Sequence, residues 1–550
     1  MMPDLILLGR VLTMDAAQPT AGAVAITGDK ISAVGDKAAL LALAGPQTII
    51  ADYRTATILP GFVESHLHLV LGGAQLAHLH LHAVSTMAHA TTAFRAFAAA
   101  NPDAPLLMAQ GGFYSLDGQP ITRQMLDAIL PDRPIAITAI DLHTVWANTA
   151  ALSAAGLLQG AAMPPGHEVV IGPDGLATGE LREFEAFAPI IALGGEGRLN
   201  LGISTGRDPA PWPTDAEQAI DRAKTALGLA HCARHGITTI INMDGNRYTL
   251  DLLAGLRAEG KLTARIKVPF HFKPDMDLAD LDTASALHAD FNDDWLSSGF
   301  VKFFMDGVTD SRTAYQLHDY PGHPGHRSEP LFSAETFARI ATEVDRRGLQ
   351  MAVHAIGDGA VRLTIDGYQA AQLANGNRDS RHRIEHIELI DRADIPRLAA
   401  LGITASLQPV HAPGAMDFGL QPTLDILGAD RWNDAYLCRT LADNGAKIAF
   451  ASDWPVTDVN VLRGIKAALT RPRYPGGSNQ SLNLHETLQA YTAGGAWAAH
   501  LDHLTGTLRP GLAADIVVLS GDIEATDPAQ IDQMHIARTI CGGQTTYLAT

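Results

Sequence analysis

The sequence contains few cysteines, and their spacing excludes two kinds of site. Only three occur among 550 residues, Cys232, Cys438 and Cys541, and none of them forms a CxxC pair. A disulfide framework needs several cysteines at short spacings, and a thiolate zinc site needs CxxC-type pairs. The sequence therefore predicts neither of these.

Long apolar runs and an excess of positive charge are also missing. No stretch is long and apolar enough to span a membrane, and the start, MMPDLILLGR, carries acidic Asp4 where a signal peptide is basic. With 40 basic and 59 acidic residues the formal net charge is -19, which repels phosphate backbones. We expect a cytoplasmic protein with neither a nucleic-acid partner nor a membrane partner.

The composition is that of a globular protein whose two ends are rich in short strands. Hydrophobic residues make up 47% and charged residues 18% of the chain. Apolar and polar residues alternate in DLILLGRVLTM and AVAITGDKISAVGD near the start, and TGTLRPGLAADIVVLSGD and HIARTICGGQTTYLA lie near the end. Because chain ends commonly meet in space, residues 1–60 and 505–550 are predicted to form one small β-domain.

The middle of the chain, residues 61–504, alternates short apolar strands with helical stretches. This pattern predicts an α/β fold with a closed (β/α)8 barrel, the TIM barrel. A long gap after the first strand predicts an insertion at about 75–212, between barrel strands 1 and 2. The eight strand candidates are TILPGFVESHLHL (57–69), ITTIINM (237–243), RIKVPFHF (265–272), FVKFFMD (300–306), QMAVHAI (350–356), HRIEHIEL (382–389), ITASLQP (403–409) and KIAFASD (447–453).

Histidines and one aspartate stand where several of these strands end. His66 and His68 are two residues apart on a strand and therefore face the same side, while His354, His386 and Asp453 each follow an apolar run. The carboxyl ends of barrel strands meet on one face, and imidazole and carboxylate are ligands of zinc and similar ions. Any one of these residues could be a core histidine or a helix cap, but their recurrence at strand ends predicts a divalent-metal site.

Lys302 lies inside the apolar run GFVKFFMDG. Desolvation lowers the pKa of a buried lysine and leaves a neutral amine, which can react with carbon dioxide to give a carbamate. The carbamate has a negative charge and two oxygens, so it can bridge two cations. The alternative is an unmodified lysine that pairs with Asp306 or acts as a cation near the substrate.

These motifs together resemble the amidohydrolase superfamily over nearly the whole chain. LPGFVESHLHL is similar to its usual opening and GTLRPGLAADIVVLS to its usual closing segment. More narrowly, DLHTVWANTAAL, VKFFMDGVTDSRTA and ASDWPV resemble the YtcJ-like branch, also called amidohydrolase 3. The resemblance implies a (β/α)8 barrel, a β-sandwich formed by both termini, and a centre of one or two metal ions.

The resemblance also implies a role for each ligand. The more buried ion would be bound by His66, His68 and Asp453, and the second by His354 and His386, with carboxylated Lys302 bridging the two. We expect two divalent ions per chain, zinc by default, with manganese, iron or cobalt also suited to nitrogen and oxygen donors.

The expected reaction is hydrolysis of a C–N bond in an amide or related carbonyl compound by metal-activated hydroxide, with Asp453 as proton shuttle. His143, Trp146, Arg312 and Trp454 are predicted to contact this small-molecule substrate. Two alternatives stay open: a deaminase of an aminated heterocycle with one metal and unmodified Lys302, and a non-enzymatic metal-binding or sensor protein. Large apolar helical faces allow a homodimer but do not require one.

Overall fold

The computed structural model describes residues 2–81, 84–139, 144–163, 167–421 and 423–550. The chain divides into two compact units, unit 1 with Met1–Leu69 and Leu229–Thr550, and unit 2 with Val70–Gly228. The predicted insertion at about 75–212 lies inside unit 2. Within the described ranges, no helix combines the length and apolarity that a membrane crossing requires.

Both ends of the chain contribute to one mixed sheet in unit 1. The alternating apolar residues bury two faces: Leu5, Leu7 and Val11 pack with Ile516, whereas Ile6 belongs to a separate apolar cluster. The sheet agrees with a β-rich region drawn from both termini, while the sandwich arrangement and the domain boundaries 1–60 and 505–550 stay predictions. Its strands, in spatial order, are Gln544–Leu548, Ile536–Cys541, Ile516–Leu519, Ile49–Pro60, Leu5–Leu12, Thr20–Thr27 and Lys30–Gly35.

The remaining sheets described in unit 1 are parallel throughout, as an alternation of strands and helices requires. Neighbouring strands pair in one direction in every register that joins them. The first sheet has the order Leu296–Ser297, Arg265–Lys267, Ile237–Asn242, Phe62–Leu67, and the second has the order Phe270–His271, Phe300–Phe304, Gln350–Ala355, Arg383–His386, Thr404–Leu407, Lys447–Phe450.

Two of the predicted strands are interrupted, one at a glycine and the other at a proline. The run 57–69 breaks at Gly61, where a Cβ atom would lie 2.2 Å from Thr238 Oγ1, and its first part belongs to the sheet of the chain ends. The run 265–272 breaks around Pro269, which has no N–H to donate to a neighbouring strand. Strands form within the other six predicted runs, although most of them stop a few residues earlier.

Helices follow most of the parallel strands. The helix Ala334–Arg346 is typical: Ser333 caps its first turn by accepting a hydrogen bond from Thr336 N–H, and one face buries Phe337 and Ile340. The α-helices described in this part of the chain are Lys37–Leu41, Arg247–Ala258, Leu281–Asp290, Ala334–Arg346, Asp358–Asn375, Ile395–Ala400, Thr423–Leu427, Cys438–Asp443, Val461–Thr470, Leu484–Ala490 and Ala493–Ala498. Two further helices, Leu69–Gln75 and Asp215–Arg234, contain the limits of unit 2.

Unit 2 is built on a mixed sheet with helices. Trp146 is 1% exposed within its apolar core, and its ring meets Tyr114 edge-on at 5.0 Å between centroids. The described strands, in spatial order, are Glu168–Ile171, Ala177–Arg182, Thr144–Ala147, Ile135–Ala139, Leu107–Gly112 and Leu79–His80, with a small hairpin of Ser115–Leu116 and Gln119–Pro120. Its helices are Met87–Ala100, Arg123–Ile129, Thr149–Ala154, Phe184–Leu193 and Leu201–Ser204.

Candidate metal centre and active site

His66, His68 and Asp453 come together at the ends of two strands in unit 1. His66 and His68 stand at the end of Phe62–Leu67, and Asp453 follows Lys447–Phe450. The two chain segments run side by side, because Asp453 N–H donates to His66 O at 2.9 Å and His68 N–H donates to Trp454 O at 2.8 Å. All three side chains are buried.

The spacing of these three donors fits a divalent metal ion. Asp453 Oδ1 lies 3.2 Å from Nε2 of both His66 and His68, and it has no hydrogen-bond partner among the described residues. Metal–ligand bonds of about 2.0–2.1 Å in a tetrahedron separate the ligand atoms by about 3.3 Å. The donor set therefore matches a divalent-metal site in both chemistry and dimensions.

A carboxylate behind the site fixes the orientation of His66. Glu385 Oε2 accepts a hydrogen bond from His66 Nδ1 at 2.7 Å, which leaves Nε2 to face Asp453. Glu385 is itself held by Arg383, whose Nε lies 2.5 Å from Oε1 and whose Nη2 lies 3.0 Å from Oε2. Burial alone would raise the pKa of Glu385, but the Arg383 guanidinium and His66 hold it well below its usual value. Glu385 is therefore an ionised acceptor at neutral pH.

Asp453 is also ionised in this setting. Burial opposes its charge, but His66, His68 and His386 hold its pKa well below the usual value. Its carboxylate can therefore act as a ligand or as a proton acceptor.

A second group of imidazoles adjoins the first. The ring centroid of His386 lies 4.9 Å from that of His66 and 4.5 Å from that of His354. His386, Asp453 and His411 each place one donor atom within 4.8 Å of the others, and the rings of His386 and His411 are stacked. Thus the ligands predicted at the ends of separate strands meet in one region, and His411 joins them.

The tautomers of this second group are set by neutral partners. His386 Nδ1 donates to Gln408 Oε1 at 2.9 Å, and His354 Nε2 donates to Gly307 O at 3.0 Å. Burial, together with the positive charge of Lys302, lowers the pKa of His354 to about 3. Neutral imidazole is the form that binds metals. In each ring the nitrogen that does not donate a hydrogen bond therefore keeps a lone pair that can bind an ion.

Lys302 is completely buried on the strand Phe300–Phe304. Its Nζ has no hydrogen-bond partner among the described residues and lies 4.9 Å from the centroid of the Phe304 ring. Asp306, the alternative partner, accepts instead from the backbone N–H groups of Tyr315, Ile356 and Gly357 at 2.9–3.0 Å. Burial lowers the pKa of Lys302 to about 8, although Glu385 and Asp453 counteract part of this effect.

The backbone is strained at two of the candidate ligands. His386 has φ 77° and Asp453 has φ 61°, in the left-handed region that side chains other than glycine rarely adopt. Such residues cost roughly 1–3 kcal/mol each and are concentrated at functional sites. The fold therefore holds both side chains at the site against a local preference.

The residues predicted to contact the substrate differ in their surroundings, and one of them lies outside the described residues. Trp146 lies in the apolar core of unit 2, a position that favours packing over the predicted contact. Trp454 follows Asp453, is 6% exposed and lies with its ring 5.3 Å from that of His231. Arg312 is half-buried in the segment after Phe300–Phe304, and its Nε has no partner within the described chain. His143 lies outside the described residues.

Three buried residues at the site were not singled out from the sequence. Glu385 immediately precedes His386, His411 follows the strand Thr404–Leu407, and Asp244 follows Ile237–Asn242 with its Oδ1 3.9 Å from His68 Nδ1. His411 and Asp244 carry the same signal as the predicted ligands, a polar side chain just past a strand. Glu385 carries no such signal. Its role is apparent only from the residues that it contacts in the tertiary structure.

A metal-ligand set at the ends of parallel strands in an α/β unit is typical of metal-dependent hydrolases with a TIM-barrel-type fold. The structure is similar to that of an uncharacterized metal-dependent hydrolase from Pyrococcus furiosus, with TM-score 0.73 and 23% identity, covering 96% of this chain and 99% of that one. This likeness shows the TIM-barrel-type α/β fold.

The model of the amidohydrolase family matches residues 52–547, and the chain belongs to this family. It is 29% identical to putative amidohydrolase YtcJ from Bacillus subtilis (91% of each chain) and 24% identical to N-substituted formamide deformylase from Arthrobacter pascens (100% and 99%). It is also 29% identical to protein LONG AFTER FAR-RED 3 from Arabidopsis thaliana (93% and 86%). These relatives place the chain in the YtcJ-like branch, as a metal-dependent hydrolase that acts on carbon–nitrogen bonds.

Proposed function

We propose that this protein hydrolyses the C–N bond of an amide or a related carbonyl compound of low molecular weight. The observation that carries the proposal is the placement of Asp453 Oδ1 at 3.2 Å from Nε2 of both His66 and His68, in a chain of the amidohydrolase family. All three side chains are buried, and their imidazole and carboxylate donors are of the kinds that hold a catalytic divalent ion.

The metal complement belongs to the same proposal. His66, His68 and Asp453 would hold one ion, and His354 and His386 would hold a second. Lys302 would bridge them as its carbamate. In support of this role, its buried amine has no partner among the described residues, and a buried ammonium without one is costly. Zinc is the proposed metal, because imidazole and carboxylate donors suit it.

A divalent ion held by His66, His68 and Asp453 would supply Lewis-acid chemistry: it would polarise a carbonyl group and lower the pKa of bound water. Asp453, ionised at neutral pH, accepts the proton of the attacking water on its carboxylate and returns it to the leaving nitrogen. His411 Nε2 is buried without a partner in the described chain, so the lone pair of this nitrogen is available to bind an ion or to accept a hydrogen bond.

A pocket beside these residues indicates the chemistry of the substrate. It is lined by His386, Gln408, His411 and Arg471 together with apolar side chains. A mainly apolar lining with a few polar groups is typical of small-molecule sites. The similarity to N-substituted formamide deformylase supports N-substituted formamides as the first compounds to test.

Closure of the barrel, the sandwich of the two chain ends and the cellular location are proposals as well. The bonds from Asp453 N–H to His66 O and from His68 N–H to Trp454 O support closure of the parallel strands into a (β/α)8 barrel. The hydrogen bonds from Ile31 N–H to Leu512 O and from Gly511 N–H to Ile31 O support a sandwich of the two chain ends. A cytoplasmic location is proposed on the basis of the sequence alone.

The test is a substrate panel with metal-replete protein. It contains N-substituted formamides, other amides, imides, lactams and carbamates, together with aminated heterocycles. Release of amine and acid from the carbonyl compounds is the expected result. Ammonia release from the heterocycles alone would identify a deaminase instead, and inactivity on every carbonyl class would remove the proposal.

A further inference from the structure

Unit 1 contains another group of two histidines and a carboxylate that the proposed reaction does not use. His231 and His235 lie at the end of the helix Asp215–Arg234, and Asp458 lies in the segment between Lys447–Phe450 and Val461–Thr470. One donor atom from each of the three lies within 4.8 Å of the others. The two histidines are half-buried and Asp458 is exposed, so solvent reaches the group.

The local sequence brings the two imidazoles together. In LAHCARHG they are four residues apart, which places them on one face of a helix. His235 N–H donates to Cys232 O at 3.0 Å, so the last turn continues through His235, and Gly236 then ends it with φ 82°. The ring centroids are 4.8 Å apart. The end of a helix also carries partial negative charge, which favours a cation there.

Asp458 is held near the histidines by two hydrogen-bonding partners. Its Oδ1 accepts from Asn460 N–H at 3.0 Å, and its Oδ2 lies 3.2 Å from Arg463 Nη1. A carboxylate oxygen has two lone pairs, so a hydrogen-bonded oxygen can still bind an ion. Arg463 also pairs with Asp417 at 2.5 Å, which keeps the guanidinium compensated if Asp458 turns toward a metal.

We propose that His231, His235 and Asp458 form a separate, solvent-accessible site for a divalent transition-metal ion such as zinc or nickel. Two imidazoles and one carboxylate are donors that these ions bind, and three protein ligands leave room for water. The competing pair with Arg463 makes binding here weaker than at a buried centre. The inference does not rest on the proposed hydrolysis, because none of its three ligands belongs to that site.

The site has a nearby spectroscopic reporter. The ring of Trp454 lies 5.3 Å from that of His231, at an angle of 32°. Nickel is paramagnetic in common coordination geometries and quenches indole fluorescence at short range, so nickel bound to His231 would quench Trp454. Trp454 also follows Asp453, and its carbonyl accepts from His68 N–H at 2.8 Å. An ion at His231 would therefore lie two contacts away from the proposed catalytic centre.

The first experiment counts metal ions by equilibrium dialysis of the full-length protein against increasing zinc. At the highest zinc concentrations, where weak sites fill, we expect wild type to bind one zinc ion per chain more than His235→Asn or Asp458→Asn. Loss of a ligand should weaken this equivalent at least about tenfold, since loss of a second-sphere partner alone costs that much. His485→Asn, an exposed histidine on Leu484–Ala490, is the matched control and should bind as wild type does.

The second experiment follows tryptophan fluorescence during nickel titration of protein whose buried centre is already filled with zinc. Quenching should occur in wild type and in His485→Asn, and should be lost in His235→Asn and in Asp458→Asn. Equal zinc binding in all four proteins, or quenching that persists in both ligand variants, would overturn the proposal. Asp458 is exposed, so its variant keeps the test valid if His235→Asn fails to fold. Hydrolysis at zinc concentrations too low to fill this site should be unchanged in both variants, which separates this inference from the proposed function.

Discussion

Replacement of Glu385 by glutamine tests how the proposed centre is organised. Glu385 is completely buried, accepts from His66 Nδ1 at 2.7 Å and receives two hydrogen bonds from Arg383. Glutamine keeps the size and one acceptor oxygen but removes the charge. Partners of metal-binding histidines typically contribute 10–100-fold to metal affinity or activity, which corresponds to about 1.4–2.8 kcal/mol.

The same change should destabilise the fold. Removal of one partner of a buried ion pair costs about 3–5 kcal/mol, because the other charge stays buried without compensation. Here the loss of unfolding free energy should lie near the lower end of this range, because Arg383 keeps other partners. Its Nη2 also donates to Ser65 O at 2.5 Å and to Ser406 Oγ at 2.8 Å. Thus the variant should unfold at lower urea concentration and also release its metal more easily.

Competition with a coloured chelator measures the metal affinity, and urea unfolding measures the stability. Glu259→Gln is the matched control, because Glu259 pairs with Lys261 at 2.7 Å on the surface and should affect neither quantity. If Glu385→Gln held zinc as tightly as wild type and turned over substrate at the same rate, the reasoning that Glu385 orients a metal ligand would be refuted. A loss of stability with unchanged metal affinity would leave Glu385 with only its structural role.

Four further results are expected. Asp453→Asn should keep the circular dichroism of wild type but lose turnover by roughly 10²–10⁴-fold, the usual contribution of a general acid–base group; near-normal turnover would exclude Asp453 as proton shuttle. Lys302→Met should lower the metal content per chain if the carbamate bridges two ions, as elemental analysis would reveal. In metal-free wild type, burial lowers the pKa of Lys302 from 10.5 to about 8, so the unfolded chain binds more protons between these values and stability should rise with pH there. Lys302→Met should lack this component of at most about 1.4 kcal/mol per pH unit in urea titrations at pH 8–10. Trp146→Phe should alter thermal stability but leave the ratio of kcat/KM among substrates unchanged, given its core position; a changed ratio would restore the predicted substrate contact.

Local patterns of apolar and polar residues predicted much of the fold. Apolar runs bounded by turn residues located the parallel strands, because a strand buried on both faces has little room for polar side chains. The breaks at Gly61 and Pro269 were harder to read: the first depends on a close approach to Thr238, which lies far away in the sequence. Separation of Val70–Gly228 as a compact unit also depends on which contacts form, not on composition.

The sequence by itself determined the types of donor atom in this protein and their positions at strand ends. The spacing of His66 and His68 follows from the two-residue period of a strand, and Lys302 was conspicuous because its charge opposes its apolar neighbours. Only the tertiary structure decided the partners. Glu385 meets His66 across 319 positions of sequence, His411 stacks beside His386, and Asp306 binds backbone N–H groups instead of Lys302. Distances and partners of this kind arise from strand register and packing, which join residues that no local pattern connects.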